Sequence, residues 1–103
     1  MMPQLTTEAR DDLYSIWHHI ALRNLDAADR VRDQIEEACQ KLADMPLMGH
    51  LREDLAPSGI RFWAVYKYLI IYRRDTEPIR VLRIIHGSRD VPAILEGLSL
   101  GNE

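Results

Sequence analysis

The side chains with the most chemical potential fall in one run, Ile84-Ile85-His86-Gly87-Ser88-Arg89-Asp90. A histidine and an arginine flank a glycine turn where a β-rich segment gives way to a helix start. An imidazole there can accept, donate or carry a proton at neutral pH. A guanidinium offers a planar fork of donors suited to carboxylates and phosphates. The same run also reads as a structural turn, with Gly87 taking a positive φ and Arg89 pairing with a nearby acid.

Other constellations carry less. His18 and His19 are adjacent, so on a helix they point about 100° apart and do not share a metal as an i, i+4 pair would. No CxxC, HxxxH or phosphate-cradling glycine loop occurs. Neither a metal nor a cofactor is expected, and no catalytic residue is assigned. The acidic pairs Asp11-Asp12, Glu36-Glu37 and Glu53-Asp54 read as solvated faces. The single cysteine, Cys39, forms no intramolecular disulfide, which fits a reducing cytoplasm. It falls in mid-helix, away from the helix N-terminus that would activate a thiol.

Charge is unevenly spread. The formal net charge is −3, yet residues 60–89 hold seven Lys/Arg against two Asp/Glu. Arg61, Arg73, Arg74, Arg80, Arg83 and Arg89 all lie in that stretch. Such a local excess points to an anionic partner surface, or to solvated arginines along strands.

A small α+β domain must position these groups. The apolar fraction of 47% and charged fraction of 28% are those of an ordinary globular chain. Residues 1–103 read as one domain, with 97–103 expected to be a flexible tail. No apolar run approaches the ~20 residues of a membrane span. Thr6 or Thr7 caps a first helix carrying Ala9, Leu13, Ile16, Trp17 and Ile20 on one face. Asn24 ends it and Asp26 caps a second helix, whose stripe is Ala28, Val31, Ile35, Ala38, Leu42 and Met45. The short connection predicts an antiparallel helical hairpin. Pro46, Gly49, Pro57 and Gly59 mark a loop. Three strands follow, Ile60–Val65, Tyr68–Arg74 and Ile79–His86, forming an antiparallel meander. The Tyr66-Lys67 turn lacks Gly, Asn or Asp, which weakens a tight hairpin there. The segment before Thr6 offers a possible edge strand. Asp90 caps a short last helix, Val91–Glu96.

Both faces of this sheet are apolar. Tyr68, Ile70 and Tyr72 alternate with Leu69 and Ile71, and Ile79, Val81 and Ile85 alternate with Leu82 and Ile84. The helical hairpin covers one face. The short last helix is small for the other, so a partner chain is expected to close part of it; alternatively that helix and the loop 46–59 suffice.

The segments "LTTEARDDLYSIWHHIA", "AADRVRDQIEEACQKLADMPLMG", "YLIIYR" and "VLRIIHGSRD", in this order, resemble the RelE/ParE toxins of type II toxin–antitoxin systems. The similarity spans roughly residues 3–96, and the "HGSRD" ending after "VLRI" matches the ParE branch. That resemblance implies a toxin that inhibits DNA gyrase, traps it on cleaved DNA and arrests growth. It also implies neutralisation by a ParD-like antitoxin in a hetero-oligomeric complex, with DNA met only through antitoxin or gyrase. On this reading Arg61, Arg73, Arg74, Arg80, Arg83, His86 and Arg89 face the target. Tyr68, Ile70, Tyr72 and Trp17 face the antitoxin. The RelE-like ribosome-dependent endoribonucleases share the fold, but this chain departs from their pattern: Leu69 follows Tyr68, and no tyrosine follows Arg89. RNA cleavage would draw on His86, Arg83 and Arg89 and stands as an alternative, as does a non-toxic protein-binding module.

Overall fold

The computed structural model describes residues 2–57 and 59–97. In chain order the elements are β1 (Gln4–Leu5), α1 (Thr7–Ala21), α2 (Leu25–Asp44), β2 (His50–Leu51), β3 (Ile60–Val65), β4 (Tyr68–Arg73), β5 (Arg80–His86) and α3 (Val91–Glu96). The expected tail lies mostly outside the described residues; Gly97 closes α3 as its C-cap.

Local chemistry accounts for the helix starts. Thr6 accepts the Ala9 N–H and begins α1, and Asp90 accepts the Ala93 N–H and begins α3. Asn24, not Asp26, caps α2, accepting the Ala27 N–H. The three-residue link, Leu22 to Asn24, leaves Asp26 inside the first turn, where its charge complements the helix dipole. Along α2 the buried positions are Ala28, Ile35, Ala38, Cys39 and Leu42, a stripe at helical spacing. Fully burying Ile35 or Leu42 stabilises the fold by roughly 1.5–3 kcal/mol each. Burial pushes the Cys39 thiol up to about 12, so it stays protonated and inert at neutral pH.

The sheet has five strands in the order β1-β5-β4-β3-β2. β1 is the expected edge strand, and it runs parallel to β5. Thr6 fastens this edge twice, its N–H donating to the Val81 carbonyl at 3.0 Å and its hydroxyl to the Leu82 carbonyl at 2.8 Å. β2 was not legible in the loop sequence. It pairs antiparallel with β3, His50 opposite Phe62 and Leu51 opposite Arg61. The β3–β4 hairpin closes through only Tyr66 and Lys67, with Tyr66 at φ +55°.

The strand faces differ from strict alternation at one place. Tyr72 pairs with Val81 but Ile71 pairs with Arg83, so Leu82 is an extra residue on β5. This bulge shifts everything after it by one position. Ile84, not Ile85, therefore joins Ile70, Tyr72, Ile79 and Val81 beneath the helices. Ile85 joins Ile60, Phe62, Ile71 and Leu82 on the far face.

That far face needs no partner chain. Ala56 from the loop and Val91 and Leu95 from α3 close it, with Leu55 and Ile94 packed alongside, and Phe62, Ile71 and Leu82 are each no more than 4% exposed. The expectation that a partner covers it is corrected accordingly: the last helix and the loop suffice, because the loop contributes apolar side chains as well as a connection.

Candidate functional site

The basic segment does not form one patch. Arg73 pairs with Arg80 at one end of β4 and β5, and Tyr68 pairs with His86 at the other. Five residue steps along β4 separate these ends by about 17 Å. Sequence counting pooled charges that the strands hold apart.

Several of these arginines are engaged within the fold. Arg83 lies at the bulge and reaches Asp12 on α1, donating from Nε at 2.6 Å and Nη2 at 2.9 Å. The same carboxylate accepts the Ile84 N–H at 2.9 Å. The two side chains are only 19% and 15% exposed. The hydrogen bond to Asp12, with that carboxylate's charge, raises the Arg83 guanidinium pKa above its ordinary value, against the opposing effect of burial. Arg61 donates to the Gly49 carbonyl at 2.7 Å and so ties β3 to the loop after α2. Arg73 forms a forked pair with Asp75 across the turn, Nε to Oδ1 at 3.1 Å. Its hydrogen bonds hold the Asp75 carboxyl below the usual range. Arg74 is exposed and Arg80 half-buried at that same end.

The His86–Arg89 turn stands at the opposite end, open to solvent. His86 Nδ1 accepts the Ser88 N–H at 3.1 Å and lies 2.7 Å from Ser88 Oγ. Among the described residues no acid pairs with Arg89. Gly87 does not take a positive φ; among described glycines only Gly59 does. A Cβ at Gly87 would stand 3.4 Å from the Lys67 carbonyl oxygen, an ordinary van der Waals contact, so neither φ nor space requires glycine there. RNA cleavage would need Arg83 together with His86 and Arg89. Arg83 is committed to Asp12, so of these three groups only His86 and Arg89 are open to solvent.

Of the side chains expected to meet an antitoxin, Ile70 and Tyr72 are 0% exposed beneath the helices. The sequence reading is corrected there, because the hairpin that covers one sheet face covers this one. Tyr68 is half-buried at the sheet end, edge-on to His86. Trp17 remains available. With Leu5, Leu13 and Tyr14 it forms the apolar floor of a groove between α1 and α2, rimmed by Arg10, Arg32 and Glu36. Its ring is anchored by Nε1, which donates to Asp29 at 2.9 Å. Tyr14 stacks on Trp17 at 6.2 Å and is 64% exposed. Sequence reasoning missed Tyr14, although its spacing from Trp17 places the two rings on neighbouring helical positions.

Residues 4–91 match the family described as ParE toxin of type II toxin-antitoxin system, parDE. This chain belongs to the ParE toxin family. It is 29% identical over 91 residues to Toxin ParE3 of Caulobacter vibrioides, covering 87% of this chain and 90% of that protein. The fold is that of a chain in the chromosomal ParDE TA system from P. aeruginosa, with a TM-score of 0.71 at 24% identity. That alignment covers 84% of this chain and 95% of the other. Among the described residues no helix is long and apolar enough to cross a membrane, and no cluster of His, Cys, Asp and Glu suits a metal ion.

Proposed function

We propose that this ParE-family toxin acts by inhibiting DNA gyrase and is neutralised by a ParD-like antitoxin. Family membership across residues 4–91 is the observation that carries the reading. The target-facing group is narrower than charge counting suggested. His86 and Arg89 form its centre, because both are exposed at one end of the sheet, while Arg61, Arg73 and Arg83 are engaged within the fold. Inhibition of this kind works by binding and trapping, so no catalytic residue is needed.

A supercoiling assay with purified toxin, gyrase, ATP and plasmid tests it. The expected result is lost supercoiling, with linear DNA appearing after protein denaturation. Arg89→Glu is expected to weaken inhibition about tenfold or more, the range for losing one good charge contact, with an unchanged melting temperature. Unaffected gyrase in the presence of folded toxin would sink the reading and favour RNA cleavage.

The antitoxin surface is the α1–α2 groove with Trp17 and Tyr14. An amphipathic segment laid along it would bury both rings. Aromatic anchors of this kind typically contribute 2 kcal/mol or more to binding, so Tyr14→Ala is expected to weaken antitoxin binding about thirtyfold. Isothermal titration with the cognate antitoxin measures this, and an unchanged affinity would place the antitoxin elsewhere.

A further inference from the structure

Two turns distant in sequence meet at the end of the sheet. The Gly87 N–H donates to the Lys67 carbonyl at 2.8 Å, so the β3–β4 turn and the turn after β5 form a single tip. Tyr66 is 65% exposed there and sits at φ +55°, the left-handed region that bulky side chains rarely adopt. Two-residue hairpin turns ordinarily place Gly, Asn or Asp at such a position. A tyrosine there lowers stability relative to glycine and buries little in return. Packing does not explain its presence.

The neighbours of Tyr66 are chemically coherent. Lys67 and Arg89 are exposed, and among the described residues no acid pairs with either. Because His86 Nδ1 accepts the Ser88 N–H, the proton of the neutral ring resides on Nε2, which is left as a donor. Exposed aromatic rings set among cations are the arrangement on which unpaired bases stack while the backbone follows the positive charge. An acidic protein surface would use the same cations, and a tyrosine also anchors protein interfaces, so a protein partner is the alternative that the assay separates.

We propose that this tip binds unpaired DNA, with Tyr66 stacking on a base, Lys67 and Arg89 meeting adjacent phosphates, and His86 Nε2–H donating to an acceptor beside them. This is a direct contact, where the family resemblance implied DNA only through another protein. It goes beyond the gyrase reading and does not require it.

Fluorescence anisotropy of a labelled single-stranded DNA oligonucleotide, titrated with the purified chain at low salt, tests the proposal. The expected result is saturable binding that is tighter than to the matching duplex. Two phosphate contacts predict a slope of log affinity against log salt near −1.4, at roughly −0.7 for each. Tyr66→Gly is expected to weaken binding about tenfold while the melting temperature holds or rises. A merely structural tyrosine would not give those opposite signs. Lys67→Glu combined with Arg89→Glu removes binding. The proposal is overturned by absent binding, by Tyr66→Gly binding like the parent, or by RNA of the same sequence binding about tenfold tighter than DNA, the loss of one stacked base. Running the gyrase assay on the same samples separates the two readings. DNA binding with unaffected gyrase leaves the tip proposal standing and overturns gyrase inhibition. Tip variants that lose gyrase inhibition, in a chain that binds no DNA, assign the tip to an acidic protein surface and overturn the proposal.

Discussion

Replacing Asp12 with alanine is expected to cost about 3 kcal/mol of stability, the low end of the range for breaking a buried ion pair, since this one retains some exposure. Asp12 accepts two bonds from Arg83 and one from the Ile84 N–H. Its removal strands a largely enclosed cation and a backbone donor together. For a domain of this size that corresponds to a fall in melting temperature on the order of 15 °C, read by circular dichroism. Asp12→Asn keeps one acceptor and should fall between. The double change Asp12→Ala with Arg83→Met should recover part of the loss, because no unpaired charge remains. A loss below about 1 kcal/mol for Asp12→Ala, the level of a surface pair, would mean that the pair does not fasten α1 to β5. One consequence concerns toxicity assays. Reversing the charge at Arg83 unfastens a helix, so loss of toxicity in such a variant reports the fold and not the target.

The second large effect is expected at Gly49. A Cβ there would stand 2.6 Å from Tyr72 Cε1 and 2.9 Å from Cζ. Tyr72 is fully buried, and its hydroxyl accepts the Gly49 N–H at 2.9 Å while donating to the Pro46 carbonyl at 2.7 Å. Burial raises the Tyr72 phenol above its ordinary pKa, against the pull of the Gly49 N–H and the Arg61 and Arg74 charges. The ring is held between core and loop and has little room to yield. Gly49→Ala should therefore cost about 3 kcal/mol, from overpacking and loss of both bonds. Chemical denaturation measures it. Tyr72→Phe alone should cost about 1–2 kcal/mol by orphaning two backbone groups. Adding Tyr72→Phe to Gly49→Ala should rescue little, since the ring carbons still collide. Full rescue would show that the hydroxyl alone makes the position intolerant.

Local pattern made most of the elements legible. The stripe along α2, the Thr6 and Asp90 caps and the bounds Ile60–Val65 all follow from short-range spacing, where each residue's preference is set within a few neighbours. The α2 cap was placed two residues late because Asn24 and Asp26 are both good caps, and only the tight link decides between them. β2 escaped notice because two residues carry no period, and its pairing with β3 is a tertiary fact. The β5 bulge escaped for a related reason: alternation assumes regular register, and the extra residue at Leu82 is visible only against β4.

The candidate site was legible in kind more than in membership. His86 and Arg89 could be singled out because they flank a glycine at the end of a strand. Arg83 looked identical to them in sequence, and its partner is 71 residues away. Tyr66 carried no signal beyond being an awkward turn residue.

By itself, then, the sequence determined the helices, the three long strands, the apolar character of both sheet faces and the kinship with ParE toxins. These depend on side-chain type and short spacing, which the chain carries everywhere along its length. The tertiary structure decided which apolar faces the chain closes for itself, which arginines are spent on the fold, and that Tyr66, Lys67, His86 and Arg89 share one tip. Those outcomes depend on contacts between segments far apart in sequence, and burial and pairing have no local signature to read.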